Sequence, residues 1–325
     1  MPTAKISDEE FMELWNLHKS AAKVSDLIGV TRQAVFRRRR RVEERTGKAL
    51  NANDTRAYNW TPTAHEHAAR HFLGIENGVV IVFSDAHFWP GIRTTAFKGL
   101  LWAISELKPK AVINNGDAFD GASISRHPRI GWDSKPSVVQ ELRACEMYLG
   151  EIEEETKKAR SNAKLIWALG NHDARFENRL ANTVPEFMAV GGFKLKDHFP
   201  AWIPCWSCWP TESVVVKHRM KGGVHATHNN AVNSGKSVVT GHLHSLKVTP
   251  YSDYNGERYG VDTGTLADTT GPQFVDYLED NATNWRSGFA VLTFHNGRIL
   301  WPELVHAIAP GAIQFRGQVI NVSDL

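Results

Sequence analysis

Cysteine is scarce in this 325-residue sequence: Cys145, Cys205 and Cys208 are the only three. Three thiols cannot build a disulfide framework for a chain of this length, so a reducing, cytoplasmic compartment is expected. Long apolar runs are missing too. The longest, Val79 to Phe83, falls far short of the ~20 residues a spanning helix needs, and the opening Met-Pro-Thr-Ala-Lys followed by acidic residues has no export-signal pattern. Neither a membrane anchor nor a membrane partner is expected. Glycine and proline are not enriched, at 25 and 14 residues, and hydrophobic residues outnumber charged ones, 42% against 22%. That composition excludes a collagen-like or disordered chain and leaves a globular one of about two domains.

No sign of charge dominates, the net being +3, but the distribution is uneven. Residues 1–50 hold 11 Lys and Arg against 7 Asp and Glu, and the densest positive charge is the run Arg37, Arg38, Arg39, Arg40 and Arg41. Ser7-Asp8-Glu9-Glu10 has the form of a capping box, and Phe11, Leu14, Trp15 and Leu17 follow at helical spacing. A second helix is predicted over Ser20 to Ile28, with Ala21, Val24, Leu27 and Ile28 on one face, broken at Gly29. Thr31 suits the N-cap of a third helix that runs through Val35 and Phe36 into the arginines. Two short helices joined by a tight turn, the second strongly basic, have the pattern of a helix-turn-helix in residues 1–45. In that arrangement Thr31, Arg32 and Gln33 face base edges in a DNA major groove, and Arg37 to Arg41 meet phosphates. DNA is therefore an expected partner.

Residues 46–62 are polar and turn-rich without periodicity and read as a linker, followed by a second domain over 63–325. His65, His67 and His71 cluster at its start. No Glu stands between His67 and His71 as a zinc-protease helix requires, so they read as a solvated helix face.

The second domain repeats one signature. Gly78-Val-Val-Ile-Val-Phe-Ser84 is a β-branched run that ends directly in Asp85-Ala86-His87. A helix over Thr94 to Leu107 leads to a strand over Lys110 to Asn114 and then Gly116-Asp117-Ala118-Phe119-Asp120. A long helix over Val138 to Arg160 leads to a strand over Lys164 to Leu169 and then Gly170-Asn171-His172-Asp173. Gly223-Val-His-Ala-Thr-His228 and Ser237-Val-Val-Thr-Gly-His242-Leu-His244 again place histidines after short β-type runs. Buried strands that deliver Asp, Asn and His at their C-terminal tips gather the donors of a divalent-metal site, and the absence of thiolates argues against structural zinc. A carboxylate able to bridge implies two ions, which can clamp a phosphoryl oxygen and lower the pKa of a shared water.

Asp-x-His, Gly-Asp-x-x-Asp, Gly-Asn-His-Asp, a lone His and Gly-His-x-His, in this order, resemble the calcineurin-like metallophosphoesterases. The resemblance covers about residues 78–245. It implies a four-layer α/β/β/α sandwich of two mixed sheets, here behind a small all-α helix-turn-helix domain. It also implies two divalent ions, manganese foremost, with iron, zinc or nickel as alternatives. Carried over by motif, Asp85, His87 and His244 hold one ion, Asn171, His228 and His242 the other, and Asp117 bridges. His172 touches the leaving group or phosphate, and Asp120 and Asp173 orient neighbouring ligands through hydrogen bonds. For the lone His, His225 and His228 are both available. Alternation of Val224, Ala226 and His228 along a strand places His228 at the strand end, where the other ligands fall.

The departures from the phosphoprotein-phosphatase pattern are local: Gly121-Ala122 follows Asp120, Leu169 precedes Gly170, and Asp173 stands where that branch has Glu. The motifs are more similar to the phosphodiesterase and nuclease branches, and a DNA-binding helix pair joined to such a domain resembles proteins of bacteriophages and prophages. That places the chain in a bacterial or phage-infected cytoplasm. Arg126, His127 and Arg129, in a loop after the second motif that also carries Trp132, and Arg175 after the third are candidate substrate contacts. Trp202 to Pro210, with Cys205 and Cys208, reads as an aromatic-rich loop. The expected function is a dinuclear-metal phosphodiesterase, a DNA nuclease or DNA-end processing enzyme recruited by its helix-turn-helix. Alternatives are a phosphatase or phosphodiesterase on nucleotides or other small esters, and a DNA-binding regulator with incidental hydrolase activity. Polarity, strand preference and oligomeric state are not legible.

Overall fold

The computed structural model describes residues 6–50, 68–125, 135–278 and 281–325. The chain divides into two compact units, Met1–His65 and Glu66–Leu325. In the first, α1 (Asp8–His18) begins with the expected capping box, Ser7 and Glu10 each bonding the other's backbone amide. Next come α2 (Ala21–Ile28), ended by Gly29 at φ 65°, and α3 (Arg32–Thr46), capped by Thr31. Phe11, Trp15, Val24, Val35, Val42 and Leu50 form its core. Full burial of side chains of this size is worth about 1.5–3 kcal/mol each, which a unit this small needs.

The arginine run divides in two. Arg38 Nη2 donates to the Ile6 carbonyl (2.5 Å) and its guanidinium lies over the Phe11 ring. Arg39 pairs with Glu43 (3.0 Å) and lies over Trp15. These two fasten α3 to α1, while Arg37, Arg40 and Arg41 are exposed.

In the second unit β1 (Ala68–Phe72) and β2 (Gly78–Phe83) precede α4 (Thr95–Leu107), β3 (Ala111–Asn114), α5 (Val138–Ala159), β4 (Lys164–Ala168), α6 (Asp173–Thr183) and α7 (Leu195–His198). Then come β5 (Ile203–Thr211), β6 (Val214–Val216), α8 (Ala226–Ser234), β7 (Ser237–Thr240), β8 (Lys247–Asp253), β9 (Gly256–Asp262) and α9 (Val275–Leu278). The chain closes with β10 (Gly288–His295), β11 (Arg298–Ile299), β12 (Glu303–Ala309), β13 (Ala312–Phe315) and β14 (Gln318–Asn321). None of the helices among the described residues is long and apolar enough to cross a membrane.

Strands β2, β3, β4 and β5 pair in parallel, as the strand–helix–strand rhythm requires, and β10 extends the sheet antiparallel to β2. The expected two sheets are one hydrogen-bonded ladder. Its turning point is β5, whose first residues pair with β4 and whose last pair with β6 across a register shift. Its two halves face each other through Val80, Val82 and Ile113 on one side and Val214, Val216, Val239 and Val261 on the other. The outer side of β2, Ile81 and Phe83, packs under α4 and α5, on Leu100, Ile104, Leu149 and Ile152. On the other outer side α8 lies so close to β9 that a Cβ at Gly260 would collide with the Thr227 carbonyl. The result is the four-layer order of helix, sheet, sheet and helix.

Two local expectations fail. The segment containing Cys205 and Cys208 is strand β5, and both thiols are buried in the core between the facing halves. His71 lies in strand β1, not on a helix, because the parallel pairing of Ala68 with Cys205 through Phe72 with Trp209 recruits this segment to β5. His65 and His67 lie outside the described residues.

Candidate active site

Five strand tips, those of β2, β3, β4, β6 and β7, and the turns after them build one site. Behind β2, Ser84 and Asp85 are fully buried, with the Asp85 amide donating to the Gly116 carbonyl (2.8 Å) and the His87 amide to the Asp117 carbonyl (2.9 Å). The loops after β2 and β3 are thus sewn together by backbone. Five site residues sit in the left-handed region: Asp85 (φ 52°), His87 (39°), Asp117 (56°), His242 (70°) and His244 (55°). Such backbones cost on the order of 1–3 kcal/mol each and persist where the surroundings over-determine them. The motif glycines have a steric reason. A Cβ at Gly170 would run into the Asp117 carboxylate, one at Gly116 into His218 and Gly170, and one at Gly241 into Ser84 and Asp85.

The side chains converge in three groups of potential metal ligands: Asp85, His87 and His244; Asp117, His218 and His242; and His87, Asp120 and His172, which shares His87 with the first. His244 Nε2 lies 3.1 Å from Asp85 Oδ1, and the His242 amide donates to Asp85 Oδ2 (2.8 Å). His218 Nδ1 donates to the Asn115 carbonyl (2.7 Å), so in the neutral ring Nε2 keeps its lone pair, 3.0 Å from Asp117 Oδ2. Two acceptor atoms held that close in a buried site call for positive charge between them, either a proton on the ring or a metal ion. Asn171 Oδ1 is buried without a hydrogen-bond partner. The electrostatics agree. Burial would raise the Asp85 carboxyl, but the His244 and His218 rings outweigh it and hold it at about 2. Asp117 is held well below the carboxylate range against burial by His218 and His172. Burial opposes the charged form of His218, and Asp117 and Asp85 overcome it, raising the ring to about 10.

In the third group Asp120 Oδ1 accepts from His87 Nδ1 (2.9 Å) and His172 Nδ1 (2.7 Å), fixing both tautomers. Arg175 Nη1 donates to the Asp120 carbonyl, and its Nη2 donates to His172 Nε2 (3.0 Å). Asp173 is buried and accepts from the amides of Asp117, Ala118, Phe119 and Gly170 and from the Trp167 indole, so it holds the backbone of the loop that carries Asp117. Trp285 packs edge-on and Phe274 tilted against the His244 ring, with centroids 4.6 and 5.3 Å away.

The family model for calcineurin-like phosphoesterases matches residues 78–303, more than two thirds of the sequence. The chain belongs to that family. It is a metal-dependent phosphoesterase. The Gene 54 protein of Mycobacterium phage L5 is 25% identical over 265 residues, which cover 75% of this chain and 98% of that protein. Among solved structures, an archaeal phosphodiesterase aligns with 70% of this chain and 99% of its own at 14% identity and a TM-score of 0.34. Pseudomonas putida nuclease MPE aligns with 69% and 86% at 15% identity and 0.32.

Against the expectations for such a phosphoesterase, the structure brings Asp85, His87, Asp117, His242 and His244 together and sets Asn171 and His172 at the same strand tips. His228 is a correction. Residues 226–234 are helix α8, not a strand, so the alternation that favoured His228 does not exist. His228 is exposed and packs on Tyr251, and His225 is an exposed residue at the helix start. The place is taken by His218, two residues past β6. Its signal was present in Val214-Val-Val-Lys-His218, the same β-branched run ending in a ligand that marks Asp85. Glu141 was also missed: from α5 it accepts from the Gly121 and Ala122 amides (2.6 and 3.0 Å) and holds the turn after Asp120. So was Asp262, which accepts from the Ser245 and Gly264 amides and steadies the loop of His244. Arg126, His127, Arg129 and Trp132 lie outside the described residues.

Proposed function

We propose that this phosphoesterase hydrolyses phosphodiesters in DNA with two divalent ions, and that its N-terminal unit contributes DNA affinity. The observation that carries the dinuclear reading is that two of the three ligand groups share no residue, while in the third Asp120 is already hydrogen-bonded to both His87 and His172. Asp85, His87 and His244 would hold one ion, and Asn171, His218 and His242 the other, with Asp117 between them. The lone pairs of His218 Nε2 and Asn171 Oδ1 fit that use. Bound there, two such ions supply a water of lowered pKa and neutralise charge on phosphoryl oxygens. Manganese suits this set of carboxylate, amide and imidazole donors. His172, its Nδ1 held by Asp120, would give the Nε2 proton of its imidazolium form to the leaving oxygen, and Arg175, which donates to Nε2 (3.0 Å) when the ring is neutral, would then bind a phosphoryl oxygen.

The DNA reading rests on α3. Thr31, Arg32 and Gln33 are exposed at its start, and Arg37, Arg40 and Arg41 form its exposed basic face. Full-length protein supplied with Mn²⁺ is tested on single- and double-stranded DNA, a cyclic nucleotide and a phosphomonoester. DNA cleavage with the highest kcat/KM is expected. A phosphomonoester or cyclic nucleotide turned over faster than DNA would replace this reading with that of a small-ester hydrolase.

A further inference from the structure

Helix α6 starts at the active site and has two unlike sides. One side, with Ala174 and Glu177, borders an aromatic pocket that includes Trp167, Phe199 and Trp202. The other borders an open groove lined by Ile124, Asn171, Arg175, Asn178, Arg179 and Asn182, with no carboxylate among its described lining residues. This groove begins at Asn171, whose buried Oδ1 has no hydrogen-bond partner, and at Arg175, in contact with His172. Arg179 is exposed and forms no ion pair among the described residues. Residues four apart lie on one helix face, about 6 Å apart along the axis, a step of the order of one nucleotide. Asn182 Nδ2 donates to the Asn178 backbone carbonyl (2.6 Å), and the exposed Asn178 lies on the ridge between groove and aromatic pocket.

We propose that this groove carries the substrate strand away from the scissile phosphate, with Arg179 binding a second phosphate and the Asn178 amide a sugar or base edge beside it. The ligand class is a single-stranded nucleic-acid segment with at least one phosphate beyond the one attacked. A diester with a single phosphate reaches Arg175 and no farther. The proposal rests on the phosphodiesterase reading of the adjoining site and adds to it a requirement for polyanionic length.

The test uses full-length protein with a fluorescein-labelled oligothymidylate. Binding is followed by anisotropy across a salt series, and Mn²⁺-dependent cleavage of the same strand is compared with that of bis(4-nitrophenyl) phosphate. Arg179→Gln should weaken oligonucleotide binding about tenfold, the loss of one charge-assisted contact. It should make the slope of log affinity against log salt shallower by about 0.7, the share of one phosphate on a single strand. The ratio of kcat/KM for the strand to that for the small diester should fall by the same factor. Arg179→Lys, which keeps the charge, should restore the slope. Unchanged affinity and slope in Arg179→Gln, or an equal fall on both substrates, would overturn the proposal. Wild-type protein that cleaves neither substrate would refute the phosphodiesterase reading instead, and the anisotropy result would still decide the groove.

Discussion

The α3 helix and the strand-tip site both concentrate charge, and they handle it in opposite ways. On α3 five arginines of one sign are tolerated because three are in solvent and two are absorbed by Ile6, Glu43, Phe11 and Trp15. At the strand tips carboxylates and imidazoles are buried together, and each remains only because another offsets it. Solvated charges can be removed one at a time with graded loss, whereas buried ones fail as a set.

Asp117 should show the sharpest failure. Asp117→Asn is expected to abolish hydrolysis of even a chromogenic diester and to lower the metal content of both positions by elemental analysis. His218→Ala should lower the metal content by about one ion, while His228→Ala should leave metal and rate unchanged. Equal losses in the two histidine variants would return His228 to the site. His172→Asn comes next: turnover falls by roughly 10²–10⁴, the range for a positioned acid, with metal content intact. Metal lost along with activity would make His172 a ligand.

On the solvated side, replacing Arg37, Arg40 and Arg41 by Gln should reduce the salt slope for duplex DNA by up to about 2.7, at ~0.9 per phosphate, with the helical circular-dichroism melt unchanged. Replacing Arg38 and Arg39 should instead lower that melt, since their contacts are internal. If the second pair changes only the salt slope, the division of the run is wrong.

The smallest effect is one of pH. Burial and the nearby Asp120 charge push the Glu141 carboxyl up to about 8. Between its unfolded value near 4.5 and about 8 the folded protein holds a proton that the unfolded chain has released. Stability therefore falls as pH rises through this window, by at most about 1.4 kcal/mol per pH unit. Glu141→Gln should flatten that part of the profile of melting temperature against pH. An unchanged slope would mean that Glu141 is ionised throughout.

The strand-tip ligands were legible because burial and chemistry leave separate marks in sequence: a β-branched run for the first, a ligand at its end for the second. Asp85, Asp117 and His244 carry both marks. His218 carries them too, yet the glycine-flanked histidines at 225 and 228 imitate the pattern, and only the helical path of residues 226–234 separates them. Pro204 and Pro210 suggested turns and hid the strand over Cys205 and Cys208, yet β5 takes Pro204 into its pairing with β4 and Pro210 into the register shift of its pairing with β6. The split among the arginines was illegible in principle, because which of five identical neighbours turns inward depends on where α1 packs. Glu141 looked like one more polar position on a long amphipathic helix.

The left-handed backbones of the site have a bearing on how its ligands can be exchanged. Asp, Asn and His are the side-chain-bearing residues that enter this conformation most readily, and every site residue found there is Asp or His. Residue identity at these tips is thus chosen twice, once by the cation and once by the dihedral angle. A redesign toward a softer metal, placing cysteine at positions 85, 117 or 242, would meet the coordination requirement and violate the backbone one. Retuning is better aimed at Asn171 or His218, which do not carry that second constraint.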